Sequence, residues 1–176
     1  MYEGIGLISE KHAVVLDIGH AFTKCGYAGE ITPRCVVRSE VEPEKSGEPG
    51  KPLHSINNKD DLYNALVEFI HRLYFKCLLV NPKDRRVVII ESVLGSSMMK
   101  ETISKVLFKH YEVSSVLFAP SHLLPLFTLG IRTALVLDVG HSEATLIPIY
   151  EGVPILKSWQ AQPLAGAAIQ GNIKLV

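Results

Sequence analysis

Two short segments of this 176-residue sequence carry the same arrangement of acid, glycine and imidazole. Ala13-Val14-Val15-Leu16-Asp17-Ile18-Gly19-His20 and Ala134-Leu135-Val136-Leu137-Asp138-Val139-Gly140-His141 read almost alike, although more than a hundred residues separate them. That is an internal duplication. In each copy an apolar run ends at Asp-x-Gly, so a strand enters a tight turn and the chain reverses at once. Such a turn presents backbone N–H groups as a nest for an anion, and the Asp beside it can hold a hydrated cation. Two turns of this kind facing each other could grip the phosphates of a nucleotide and its Mg²⁺ from both sides. A single Asp-x-Gly-His would favour an ordinary hairpin turn, because Asp and Gly are common turn residues. Its recurrence at matching points of a repeated strand unit favours the phosphate reading. His20 and His141, at the mouth of such a site, could bind an anion, act as a pair of metal ligands or fill space. Filling space is favoured, since metal sites usually show more than two ligands.

The elements that must position these turns alternate along the chain. Strands are predicted at 13–18, 22–27 and 34–38, a meander with a turn at 29–33. Residues 39–57 are dominated by Glu, Pro, Gly, Lys and Ser without an apolar period, and read as an exposed, mobile connection. Asn58 can cap a helix whose first turn carries Asp60 and Asp61. That helix would bury Leu62, Leu66, Phe69, Ile70, Leu73 and Cys77, and stop at Pro82 and the charged turn Lys83-Asp84-Arg85. The continuous apolar run 87–90 marks a strand covered on both faces. A helix capped near Ser97 follows, with Met99, Ile103, Val106 and Leu107 on one face. Then come a buried strand at 113–118 and a short helix ending at Gly130. Pro125 requires that last helix to begin near Ser121, because only a first-turn proline removes no intrahelical hydrogen bond. The order is βββαβαβα, an α/β fold. From Thr133 onward the pattern restarts with three strands and the beginning of a helix.

Composition restricts the functions open to this chain. Apolar residues make up 47% and charged residues 20%, with 18 bases balancing 18 acids, as in a soluble globular protein. No Lys/Arg block or aromatic-basic alternation suggests a nucleic-acid surface. Residues 1–11 lack the basic start and apolar core of a leader, and no apolar run would span a bilayer. The expectation is a cytosolic protein with neither a nucleic-acid partner nor membrane insertion. Cys25, Cys35 and Cys77 follow no metal or redox spacing and read as free thiols packed as small apolar groups.

Beyond the duplication, particular residues are recognisable. Asp17-Ile18-Gly19-His20-Ala21-Phe22-Thr23-Lys24-Cys25-Gly26-Tyr27-Ala28-Gly29-Glu30, followed by Pro33-Arg34, resembles the first phosphate loop of the actin family. Leu137-Asp138-Val139-Gly140, with Pro148-Ile149-Tyr150-Glu151-Gly152 and Leu164-Ala165-Gly166, resembles its second phosphate loop and the strands after it. The resemblance runs from about His12 to about Gly166. It implies an actin-like, ribonuclease H-like fold: residues 1–132 form a first lobe, with 39–57 as a shortened outer-subdomain connection, and 133–176 begin a second lobe. On that reading the second lobe is incomplete, as in a fragment or a shortened isoform.

The resemblance also assigns roles. Asp17, Gly19, Lys24, Asp138 and Gly140 match the positions that in actins face Mg²⁺ and the phosphates, with Asp17 and Asp138 reaching the metal through water. His20 and His141 stand where actins carry small or acidic residues. Ser121 replaces the glutamine that orients the attacking water, and Thr145 the histidine near it. Phosphoryl transfer to water needs that nucleophile positioned, so the implied protein holds ATP or ADP with Mg²⁺ in a full-length form, without hydrolysis, and nothing in the short form. Residues 81–91 and 119–124 resemble the branch of the family found at the pointed end of dynactin. The implied function is a non-catalytic cap that supports dynein-based microtubule transport in the cytoplasm and cytoskeleton. Its partners would be a filament of actin-related protein 1, the other pointed-end subunits and, indirectly, dynein. One alternative is a working ATPase or kinase of the wider sugar-kinase and chaperone superfamily, which shares the duplicated turns. Another is a plain binding module in which the site has decayed.

Overall fold

The computed structural model describes residues 11–42 and 49–173. β1 (Val14–Ile18), β2 (Phe22–Tyr27) and β3 (Cys35–Arg38) form the expected meander, with Asp17 opposite Lys24 and Cys25 opposite Cys35. The connection after it departs from expectation. β4 (Glu40–Val41) and β5 (Lys51–Pro52) pair antiparallel, and a 3₁₀ turn spans Leu53–Ser55. Ser39, Leu53 and Ile56 are buried, and the Thr23 and Ser39 hydroxyls share a buried hydrogen bond. The 3₁₀ turn swings Leu53 and Ile56, three residues apart, to the same side. Two apolar residues are too few to register as a period, so this part of 39–57 reads as exposed from sequence and is not. The Pro43 to Glu48 part of that connection lies outside the described residues.

α1 (Lys59–Arg72) begins as its cap predicts, with Asn58 Oδ1 accepting from the Asp60 N–H, and buries Leu62, Leu66, Phe69 and Ile70. It ends earlier than Pro82. A π-helical turn over Leu73–Leu78 closes on Leu79, which adopts a left-handed φ of 53°. Arg72 reaches back from α1 to the connection: its guanidinium donates to the carbonyls of Arg38 and Glu40 at 3.2 and 3.0 Å and pairs with Glu42.

β6 (Val87–Glu91) lies parallel to β1. α2 (Ser97–Lys105) is followed by a second π turn, Val106–His110. The apolar run 113–118 is divided between two tasks. The Val113 N–H still donates to Leu107 O and closes the π turn after α2, and strand β7 covers only Val116–Pro120. α3 (Leu124–Leu129) starts three residues later than expected, with Pro125 in its first turn and Gly130 at φ 66° as its left-handed cap. The first sheet has the order β3-β2-β1-β6-β7, and one contiguous core around Leu16, Leu66, Phe69, Tyr74 and Leu107 joins it to the helices.

β8 (Ala134–Val139) and β9 (Ala144–Tyr150) make the second hairpin. The third strand is split into β10 (Val153–Pro154) and β11 (Gln160–Gln162), both paired to the far edge of β9, and α4 (Gly166–Ile173) follows. A small second core gathers Leu126, Ile147 and Ile149, with Trp159 and Val136 packed on it. From sequence, Leu135, Leu137, Leu146 and Ile149 are all expected to lie partly exposed. Leu135 and Leu137 are each 63% exposed, but Ile149 is only 2% exposed because α3 covers its face through Leu126. Apolar side chains left bare along a strand at the edge of its sheet invite association. The 176-residue chain expressed alone should therefore sediment as a mixture of oligomers. A monodisperse monomer with one sharp melting transition would contradict this.

Candidate functional site

β1, β6 and β7 run parallel, so their carboxyl ends, Ile18, Glu91 and Pro120, open on one edge of the first sheet. Ligands of open α/β sheets bind at that edge. Asp17 lies there, next to the reversal into β2. The Ser121 N–H donates to Glu91 O at 2.8 Å, which fixes Ser121 on the same edge.

The two duplicated turns share one geometry. In the first the Gly19 N–H donates to Phe22 O at 3.2 Å, and in the second the Gly140 N–H donates to Glu143 O at 3.0 Å. A Cβ on Gly19 would lie 2.7 Å from Phe22 O, and one on Gly140 3.3 Å from Glu143 O. Glycine is required at the first position by this close approach, and at the second a side chain would crowd the carbonyl. The glycine N–H groups being used inside the turns, the donors that an anion could meet are those of His20 and Ala21, and of His141 and Ser142. The first N–H groups of α4 are also engaged: Gly166 donates to Gly140 O and Ala167 to His141 O, which holds the second turn against that helix.

The two acids are partnered differently. Asp17 is bridged by Lys24 at 2.8 Å, its cross-strand neighbour. The residue opposite Asp138 is Thr145, which is buried and uncharged. The first turn therefore carries an acid and an ammonium side by side, a set suited to a phosphate with its metal, while the second carries an acid facing a hydroxyl.

The imidazoles meet. His20 stacks on His54 with centroids 4.6 Å apart and planes 10° from parallel, and His141 lies 6.4 Å from His20 at 24°. The two turns thus come within contact of each other, and the chain brings Asp17, Gly19, His20, Lys24, Gly140 and His141 into one neighbourhood. The rings present faces to one another, whereas a metal needs their lone pairs to converge. Among the described residues no group of three His, Cys, Asp or Glu side chains is arranged to hold a metal ion.

His54 is the residue that sequence reasoning missed. It belongs to the segment read as an exposed connection, and its Nε2 also contacts Gly19 O at 3.2 Å. No motif signalled it; only the burial of its neighbours Leu53 and Ile56 brings it to the turn. Burial, and next the nearby His20, hold its pKa below the ordinary histidine value. Burial does the same for His122, which is 6% exposed with neither ring nitrogen hydrogen-bonded. Both groups are lowered on folding, so between the lowered values and about pH 6.5 the unfolded chain binds more protons than the folded one. Stability should fall as pH drops through about 6.5 towards those lowered values. Denaturant midpoints at a series of pH values would show this, with a smaller drop in His54→Phe. An identical pH profile in that variant would mean that the stack contributes nothing to it.

Comparison with known proteins agrees with this geometry. The family model for Actin matches residues 8–176. The chain is 28% identical to Actin-related protein 10 of Dictyostelium discoideum over 95% of its own length and 40% of that protein. It is 26% identical to Actin-like protein 7A of Mus musculus, over 81% of this chain and 38% of the relative. To Actin-related protein 2 of Arabidopsis thaliana it is also 26% identical, over 82% and 43%. The chain spans about two fifths of the length of these relatives. A family match over nearly the whole chain, together with the twin Asp-x-Gly turns, one in each sheet, places this chain in the actin family.

Proposed function

We propose that the chain belongs to a non-catalytic, actin-related structural subunit that caps the pointed end of the dynactin filament and so supports dynein-based microtubule transport in the cytoplasm. The observation that carries the non-catalytic part is the pair of short hydroxyls at the water-positioning places. Ser121 is held at the strand edge by its own backbone, and Thr145 is buried opposite Asp138. Neither side chain extends as far as a glutamine amide or an imidazole, so a water between the turns lacks the group that would aim it. No helix among the described residues is long and apolar enough to cross a membrane.

The residues present fit a phosphate with its metal. Lys24 and the N–H groups of His20, Ala21, His141 and Ser142 would hold phosphate oxygens, and Asp17 and Asp138 would hold a hydrated Mg²⁺. A bound ATP or ADP would supply the negative charge that draws the two turns together. A second reading, in which the site has decayed and only the fold is used, is favoured by the stacking of His20, which fills the mouth of the site with ring surface.

The capping assignment rests on the family resemblance of residues 81–91 and 119–124, and its partners would be a filament of actin-related protein 1 and the other pointed-end subunits. Gold labelling of the native complex, with nucleotide released by acid and quantified, tests both parts. Label confined to one filament end supports the cap. Label along the filament, or filaments grown from this protein alone, would overturn it. Stoichiometric nucleotide in the full-length protein separates the nucleotide-holding reading from the decayed site.

A further inference from the structure

The three cysteines, dispersed along the sequence, come together in space and outside the turns. Cys25 and Cys35 are cross-strand partners on β2 and β3, and the Cys35 thiol lies 3.0 Å, sulfur to sulfur, from Cys77 in the π turn that closes α1. Cys35 and Cys77 are each partly exposed, whereas Cys25 is 1% exposed at the floor of the group. From the Cys35–Cys77 contact we infer that these two residues form a peroxide-sensitive dithiol, which closes to a disulfide and opens again with thiol reductants.

The geometry favours this pair over the other two. A disulfide needs its sulfurs about 2.05 Å apart with a near-perpendicular torsion, so Cys35 and Cys77 must approach by about 1 Å. One of them projects from a strand and the other from a helical turn, so side-chain rotation can supply that approach. Cys25 is shielded from an oxidant, and burial pushes its thiol up to about 12. Burial likewise raises Cys77, to about 11, with the nearby Arg72 charge acting in the opposite sense. Cys77 is thus held as the thiol, and its closeness to Cys35 speeds the second step, closure of the disulfide, once either sulfur has been oxidised.

The step balances with hydrogen peroxide as oxidant. One sulfur of the pair attacks a peroxide oxygen: an S–O bond forms, the O–O bond breaks, and water leaves with the thiol proton. The second sulfur then attacks the resulting sulfenic acid: the S–S bond forms, the S–O bond breaks, and a second water leaves. Two electrons pass from the two thiols to peroxide. The product ties β3, the edge strand of the first sheet, to the end of α1.

Native protein isolated with its partners is exposed to hydrogen peroxide, quenched by alkylation, digested without reduction and mapped by mass spectrometry. The expected product is a Cys35–Cys77 cross-linked peptide that dithiothreitol reverses, with Cys25 still alkylated. The ratio of cross-link to over-oxidised thiol should be at least about tenfold higher in folded protein than in the same chain in urea, because folding supplies the proximity for closure. Cys25→Ser should leave the cross-link intact and Cys35→Ser should abolish it. A Cys25–Cys35 bond overturns the proposal. So do equal ratios in folded and unfolded chain, or separate over-oxidation of the two thiols. If a serine variant fails to fold, the peptide map and the ratio comparison on wild-type protein decide the question without it.

Discussion

Full-length protein given ATP and Mg²⁺ is expected to release phosphate at least about a hundredfold more slowly than an actin does. A hundredfold corresponds to about 2.7 kcal/mol of barrier, which is a modest demand on two lost contacts. On the proposed reading the first sheet keeps its half of a phosphate site, with Asp17 and Lys24 bridged and Gly19 at the close turn. On the same reading the missing part is the group that would hold water in line with the terminal phosphorus. Ser121 ends within a short reach of its own backbone, and Thr145 is packed into the second hairpin. Phosphate release in a single turnover measures the consequence directly. Rates equal to those of an actin, lost in Asp17→Ala, would show that some other group positions the nucleophile and that the chain is an enzyme.

The other large effect expected is on assembly. If the proposed cap is right, lengthening the connection between Glu42 and Pro49 to the length found in actins should allow filaments to continue past this subunit. A subunit that accepts a follower needs an apolar anchor to offset the entropic cost of association. In this connection Leu53 and Ile56 are already buried in the subunit's own core, and only half-buried Val41 is left over. The graft belongs at that site because replacing the whole of 39–57 would also remove Ser39, Leu53 and Ile56 from the core. Electron micrographs of filaments assembled with the graft give the answer. If they still end at the grafted subunit, the short connection is not what stops them.

The features legible in the sequence were those with a long or repeated signal. The duplicated Asp-x-Gly turns and the strands flanking them lie where their pattern puts them, and α1 follows its cap and its three-to-four spacing through Phe69 and Ile70. The misread parts depend on contacts between distant segments. Leu53 and Ile56 are buried in the main core beside residues far away in sequence, which local composition does not reveal. The strand expected from Val113 starts at Val116, and the Val113 N–H instead closes the π turn that follows α2. Ile149 is covered by α3, an element with only six residues. His54 joins the stack only because its buried neighbours carry it there. The approach of Cys35 to Cys77 spans 42 positions of sequence and leaves no trace in their spacing.

Arg72 lets one stretch of this protein change independently of the rest. Its guanidinium grips the connection at its root, through the carbonyls of Arg38 and Glu40 and the carboxylate of Glu42. Residues inserted or lost beyond that grip transmit little displacement to β3 or to the turn holding Asp17. The length of the connection is thereby uncoupled from the geometry of the sheet, so the two can be altered separately.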